Sequence, residues 1–282
     1  MSHRALGIYR EPEFSPGKVE ADAAILDAVL AELSRQGVAT ESIDAHAFAA
    51  APAPAPGSAD LVLAMCQSEN ALRRLAEAER AGATVINSAL AIRNCYRDLL
   101  APGLARAGVP TPAGALVATA AGLDTRALAG IDLGAPVFIK RGDLHALGPE
   151  DVQRAVGRDD IEARLRTFAR RAIRFAYVQQ EFAGAVIKFY GVSGGSYFTA
   201  LPETGEVPEA AVRALADAAH TAAAALGLEA WGGDAVLSGE RFAIIDFNDW
   251  PSYSRVRSAA ARAIARRALA MLSRPRAPAR IV

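Results

Sequence analysis

The chain has 282 residues, 52% of them hydrophobic, with 31 basic and 31 acidic side chains that cancel. That length buries a sizeable core and predicts two or three subdomains. The balanced charge excludes a whole-molecule field for nucleic acid or an anionic membrane, so any bound anion has to be held locally. Cys66, Cys95 and four histidines without metal-ligand spacing exclude a disulfide framework and a histidine-built metal centre. No apolar segment has the length of a signal peptide or a membrane span, which makes the cytoplasm the expected compartment.

The first ninety residues alternate strands and helices. Ala5 to Tyr9 reads as a strand, Val19 to Gln36 as an amphipathic helix closed by Gly37, and Ala59 to Met65 as a second strand. Glu69 to Ala81 reads as a helix closed by Gly82, and Thr84 to Ile86 as a third strand. This rhythm predicts a small parallel, Rossmann-like sheet covered by helices. Ala49 to Gly57 is an Ala/Pro connector, and the segment from Arg10 to Lys18 is a long loop at the carboxyl end of a strand. Such a loop either closes over a ligand or is an ordinary connection. Ser88 to Ala107 reads as a helix with a break near Pro102-Gly103, ended by Gly108-Val109-Pro110-Thr111-Pro112.

Beyond that point the pattern changes to α+β. Strands are expected at Ala113–Thr119, Ala135–Lys140 and Ala176–Gln180 around a basic helix from Asp160 to Arg174. Further strands follow at Ala185–Val192 and Ser196–Leu201, a helix at Glu209–Leu226, and strands at Ala230–Leu237 and Arg241–Phe247. An Arg/Ala helix from Val256 to Leu272 and a mobile tail from Arg274 to Val282 complete the chain. The expected units are 1–88, 89–180 and 181–282.

Three features carry chemistry. Only three of the basic residues are lysines, Lys18, Lys140 and Lys188. Lys140 and Lys188 sit inside strand-like apolar runs, where a compact ammonium suits phosphate oxygens better than solvent; Lys18 reads as a surface residue at a helix start. The strand Ile244-Ile245-Asp246-Phe247-Asn248 ends with a carboxylate and an amide two residues apart, on one face and able to share a hard cation. Asp234 joins them only if the hairpin around Ser238-Gly239-Glu240 has an odd register, because a simple two-residue turn would set Asp234 opposite Ile245. The prediction is the odd register, from a longer turn with a bulge. Trp250 is expected to anchor the loop that follows. Finally, Gln179-Gln180-Glu181-Phe182 is a strand edge running into a bend, suited to the donor and acceptor edge of adenine, and the loop after Lys140 carries His145 toward phosphates.

In this order the segments from Val85 to Tyr253 resemble the ATP-grasp family. The resemblance implies an ATP-grasp fold, an N-terminal Rossmann-like domain followed by two α+β subdomains enclosing ATP. It further implies that Lys140, His145, Gln180, Glu181, Phe182 and Lys188 face the nucleotide. Asp234, Asp246 and Asn248 fall where the family holds one or two Mg²⁺, with Mn²⁺ an alternative ion. Arg97-Asp98 stands near the family's Asp-Lys pair, and no role is assigned there. Gln180-Glu181-Phe182, Lys188-x-Tyr190 and Asp246-x-Asn248-x-x-Pro251-x-Tyr253 look most like the inositol polyphosphate kinase branch. The ligase branch, joining a carboxylate to an amine, is the favoured activity, with a polyol or inositol-like kinase and a non-catalytic nucleotide-binding protein as alternatives. The expected partner is a small-molecule acceptor, with no nucleic acid and no membrane. Arg255 and Arg257 either grip an anionic acceptor and act in catalysis, or open the last helix as solvated charges.

Overall fold

A computed structural model describes residues 3–51, 59–195 and 197–273. The expected Ala/Pro connector therefore falls largely outside the described residues, as do Ser196 and the C-terminal tail. Three four-stranded sheets organise the chain. The first is parallel, in the order β2-β1-β3-β4, from β1 (Arg4–Tyr9), β2 (Ala39–Asp44), β3 (Leu61–Ala64) and β4 (Thr84–Ile86). Its helices are α1 (Val19–Arg35), α2 (Ala45–Ala50) and α3 (Glu69–Arg80), with Asp44 and Ser68 capping α2 and α3 through their side-chain oxygens. β2, with sequence ATESID, was not legible in the hydropathy. It is an edge strand whose side chains are largely exposed, so no apolar alternation marks it.

The segment Ser88–Ala107 forms two helices, α4 (Ala89–Asn94) and α5 (Arg97–Arg106). The break falls at Cys95-Tyr96 instead of Pro102-Gly103, and Pro102 lies inside α5. Tyr96 leaves helical geometry at ψ 137° to cap α5, and its hydroxyl donates to the Gln67 carbonyl. The second sheet is antiparallel, in the order β5-β8-β6-β7, from β5 (Gly114–Ala118), β6 (Val137–Arg141), β7 (Val152–Ala155) and β8 (Phe175–Gln180). Together with α6 (Arg158–Arg170) it encloses its own core around Val137, Ile139, Leu165 and Phe168.

The third sheet runs β10-β9-β11-β12, from β9 (Ala185–Val192), β10 (Tyr197–Pro202), β11 (Ala230–Ser238) and β12 (Arg241–Asp249), with α7 (Glu209–Leu226) and α8 (Arg257–Leu272). One face, with Phe189, Trp231, Ala235, Ile244 and Phe247, packs against α7 together with α4 and α5 residues such as Leu100 and Leu104. Residues 89–109 thus share the core of the third sheet. The alanines of α8, Ala260, Ala261, Ala263 and Ala268, let it lie against Ile25, Leu26 and Val29 of α1, so one core unites the first and last parts of the chain. Buried Asn87 reinforces the joint, donating to Ala230 O at 2.8 Å and accepting from the amides of Glu229 and Ala230. Among the described residues, no helix is long and apolar enough to cross a membrane. Both cysteines are buried free thiols.

Candidate active site

The polar face of the third sheet is built by one inserted residue. Ser238 pairs with Arg241, so Gly239-Glu240 is a two-residue turn, with Gly239 at φ +61° as the first position of a II′ turn requires. The turn is therefore shorter than the sequence reading anticipated. The odd register arises inside β12, where a bulge at Ile245 lets Ala235 face Ile244 and Asp234 face Asp246. Ile244 consequently enters the apolar core while Asp246, two residues later, points to the opposite side. In an unbulged strand those two residues would share a face.

On that side β9 adds Lys188 opposite Asp234, giving a row Lys188–Asp234–Asp246 across three strands, with Tyr190–Gly232–Asn248 as the next rung. The Lys188 ammonium donates to Asp234 Oδ1 at 2.8 Å, and Asn248 Nδ2 lies 3.4 Å from Asp246 Oδ2, leaving the amide oxygen of Asn248 as a further donor to a cation. Gly233 has to be glycine, since a Cβ there would collide with the Asp246 carbonyl oxygen and the Phe189 ring.

Two more cations reach this row from other elements. Lys140, at the end of β6, is buried and donates to the carbonyl of the bulge residue Ile245 at 2.8 Å. Arg97, the first residue of α5, donates to the carbonyls of Arg141 and Leu144 and lies 3.4 Å from Asp246 Oδ1. Burial pushes Lys140 down to about 8, with Asp246 opposing and Arg97 adding. Burial alone would raise the Asp246 carboxyl, but Arg97 and Lys140 together hold it below its ordinary value. Asp234 goes the other way, pushed up by burial despite Lys188.

The row of Lys188, Asp234 and Asp246 borders a cavity of about 470 Å³, the size of a small-ligand site, with Lys140 and Arg97 behind it. Its floor carries Lys188, Tyr190, Asp234, Asp246 and Asn248, and its far wall is the 10–18 loop with Arg10, Phe14, Ser15 and Pro16. Lys18 lines the mouth, exposed, and Arg255 lines the rim, whereas Arg257 opens α8 off the cavity with its Nε buried and unpartnered among the described residues. The 10–18 loop is held in place by Glu11, which accepts from the amides of Gln67 and Ser68, and by the approach of His145 Nε2 to the Phe14 carbonyl at 3.3 Å. Burial, with Arg10 adding, pushes His145 down to about 4, so at neutral pH it contributes a neutral ring and no charge for a phosphate.

The bend after β8 lies away from this cavity. The amides of Gln180 and Glu181 already donate to the carbonyls of Ala113 and Pro136, and the Gln180 side chain bridges the Asp132 amide and the Pro136 carbonyl. Glu181 pairs with Arg154 at 2.8 Å, and the Arg241 guanidinium stands over the Phe182 ring. Among the described residues, Phe182 is the first residue of the bend whose N–H makes no backbone bond.

The loop after β12 is strained. Trp250 and Tyr253 hold φ of 35° and 47°, both fully buried. Trp250 donates to the Ile86 carbonyl at 3.0 Å, and the Tyr253 hydroxyl reaches the carbonyls of Gly191 and Trp231. Sequence reasoning missed Arg10, Asp22, Gln67, Arg97 and Asp249. Arg97 alone had a local signal, its position in the leading helix of the resemblance.

No protein-family model matches this sequence, and no curated protein matches it either. Solved structures do match its fold. D-alanine–D-alanine ligase from Bacillus anthracis, complexed with ATP, superposes with a TM-score of 0.72 at 13% identity, covering 96% of this chain and 98% of that one. An ATP-grasp RimK domain protein from Sphaerobacter thermophilus gives 0.69 at 19% identity over 95% of this chain and 100% of its own. D-cycloserine synthetase gives 0.65 at 17% identity over 93% and 99%. The chain has the ATP-grasp fold.

Proposed function

We propose that the protein is an ATP- and magnesium-dependent enzyme that activates a small-molecule carboxylate as an acyl phosphate and joins it to an amine. The observation that supports this most is the row Lys188–Asp234–Asp246, with Asn248 beside it and Lys140 and Arg97 behind it, on the wall of a ligand-sized cavity. D-alanine–D-alanine ligase, the ATP-grasp RimK domain protein and D-cycloserine synthetase, which share this fold, support the same reading.

The donor set fits a hard divalent ion: two carboxylates and an amide oxygen on one face. Lys188, Arg97 and Lys140 already outnumber the two carboxylates by one positive charge, so the wall suits a metal that arrives with a polyanion. Among the described residues, no three His, Cys, Asp or Glu side chains gather into a metal cluster. Asp234, Asp246 and Asn248 would hold magnesium, which would supply charge neutralisation at the phosphates. Lys188, released from Asp234, and Lys140, released from the Ile245 carbonyl, turn their ammonium groups to the phosphate oxygens. Arg97 keeps Asp246 ionised. The acceptor carboxylate attacks the γ-phosphorus and ADP leaves; the amine then attacks the acyl carbon and phosphate leaves. The protein contributes position and electrostatics. Phe182 N–H is the donor available to adenine.

An acceptor screen by coupled ADP detection, with mass spectrometry of the product, tests the reading. ADP release with carboxylate and amine pairs, yielding an amide, is expected. ADP release only with inositol or sugar polyols, yielding a phosphate ester, would replace the ligase by a kinase.

Lys140 gives a pH signature. Its ammonium is needed against the phosphates and is lost from the ligand-free protein as pH rises through about 8. Nucleotide affinity, flat below that pH, should fall above it by up to about tenfold per unit, because binding must then take up a proton. In Lys140→Arg the decline should vanish, since a guanidinium stays charged. Calorimetric titration of Mg-ATP across this range measures it, and an affinity unchanged two units above the midpoint refutes the assignment.

A further inference from the structure

The wall of the cavity opposite the phosphate-facing groups carries more negative charge than it neutralises. Asp22 of α1 and Asp249 at the end of β12 both line the cavity and are buried, and among the described residues the cation between them is Arg10. Its Nη1 lies 3.3 Å from Asp22 Oδ2 and its Nη2 3.8 Å from Asp249 Oδ2. Arg10 is otherwise engaged by the carbonyls of Met65, Asp249 and Trp250. Lys18 stands exposed at the mouth and pairs with neither carboxylate among the described residues. Two carboxylates thus share one guanidinium.

A second observation is independent of that sum. Gln67, 1% exposed, lines the same wall and gives its amide nitrogen to both carboxylate oxygens of Asp249, at 2.9 and 3.0 Å. Its carbonyl oxygen Oε1 is thereby turned away from Asp249 and is buried without a hydrogen-bond partner. At Asp22, Oδ2 receives Ser15 Oγ at 2.5 Å and Arg10, while among the described residues Oδ1 accepts nothing. A buried orphan acceptor is costly unless a donor meets it. An excess negative charge beside free acceptors asks for a donor that is also a cation, and a protonated amine is both.

We infer that this wall is an ammonium subsite, in which Gln67 Oε1, Asp22 and Asp249 hold the amino group of the substrate whose carboxylate is activated, so that the substrate is a small amino acid. This rests on the proposed carboxylate activation. Asn248, at the phosphate-facing floor, and Asp249, at the ammonium wall, are consecutive residues of β12 and both line the cavity, so the two ends of one small substrate can meet both. Arg10 acts as a positioning residue that keeps the two carboxylates apart.

The test reads binding instead of turnover. The full chain, saturated with magnesium and a non-hydrolysable ATP analogue, is titrated calorimetrically with L-alanine, D-alanine and β-alanine, and with the des-amino acids propionate and lactate. At least one amino acid should bind about thirtyfold more tightly than both des-amino acids, the value of a hydrogen-bonded charge. Gln67→Met and Asp22→Asn should each collapse that ratio to about threefold or less by weakening the amino acid alone. A purely structural role would weaken both classes together. Propionate or lactate binding as tightly as the amino acids overturns the ammonium subsite and leaves carboxylate activation standing, as does failure of every amino acid to bind. If the nucleotide analogue itself does not bind with magnesium, the proposed function falls and the subsite with it. Should neither variant fold, the unsubstituted protein's preference decides.

Discussion

Asp246→Asn is expected to lower ATP turnover by about 10³-fold and to shift its magnesium dependence to higher concentration, the cost of several kcal/mol of lost charge stabilisation at the phosphates. The amide is isosteric and can still accept from Arg97, which lies 3.4 Å from Asp246 Oδ1, so the fold should survive. Asn248→Ala removes a neutral ligand and should cost less, about ten- to a hundredfold. Steady-state ADP release measured across a magnesium titration, with the acceptor found by the screen, separates the two. A magnesium dependence identical to that of the unsubstituted protein in both variants would remove the metal assignment from this face of the sheet. The comparison is informative because Asp234 and Asp246 sit in opposite local fields, the first pushed up by burial and the second held down by Arg97 and Lys140 against burial. Asp234→Asn, which also frees Lys188, should therefore perturb magnesium dependence less steeply than Asp246→Asn.

Trp250→Ala should destabilise the protein by about 3–5 kcal/mol, the usual cost of emptying a fully buried aromatic site. Trp250 is 0% exposed, packs in the core shared by α1 and α8, and ties the loop after β12 to β4 through the Ile86 carbonyl. Its own carbonyl receives Arg10 at 3.0 Å, so the truncation also loosens the ammonium wall. Trp250→Phe keeps most of the volume and loses the indole N–H, for which about 1 kcal/mol is expected. Urea unfolding, read as a midpoint shift at constant slope, measures both. A loss below about 1 kcal/mol for the alanine variant would show that the loop is not anchored there. The positive φ at positions 250 and 253 makes such anchoring necessary, since strained backbone persists only where packing over-determines it.

The regular elements were legible wherever burial was one-sided. β9 and α7 follow their expected bounds residue for residue, because Ala185–Val192 is rich in β-branched and aromatic residues and Glu209–Leu226 carries alanine-rich helical periodicity. β2 and β7 were not, since ATESID and VQRA are short edge strands whose pairing partners, not their own side chains, hold them in the sheet. Pro102 marked the wrong break in the α4–α5 segment: a proline in an interior turn removes one donor, whereas Tyr96 is drawn out of the helix by its contact with the Gln67 carbonyl.

By itself, the sequence determined that Asp246 and Asn248 share a face, that Lys140 and Lys188 sit in strands where a charge needs a purpose, and that Asp234 belongs with the pair only in an odd register. Those are statements of strand parity and of the cost of buried charge, which follow from residues close together in the chain. The tertiary structure decided how the parity is met, with a bulge at Ile245 whose carbonyl Lys140 then occupies. It also decided what stands opposite: Arg10, Asp22 and Gln67 from the first sheet and its helices enter one cavity with residues as far as 239 positions away in sequence, and Arg97 from α5 reaches Asp246, 149 positions away. No local period or spacing encodes such a meeting, because it depends on α1 closing on α8 and on Asn87 stitching the first sheet to the third.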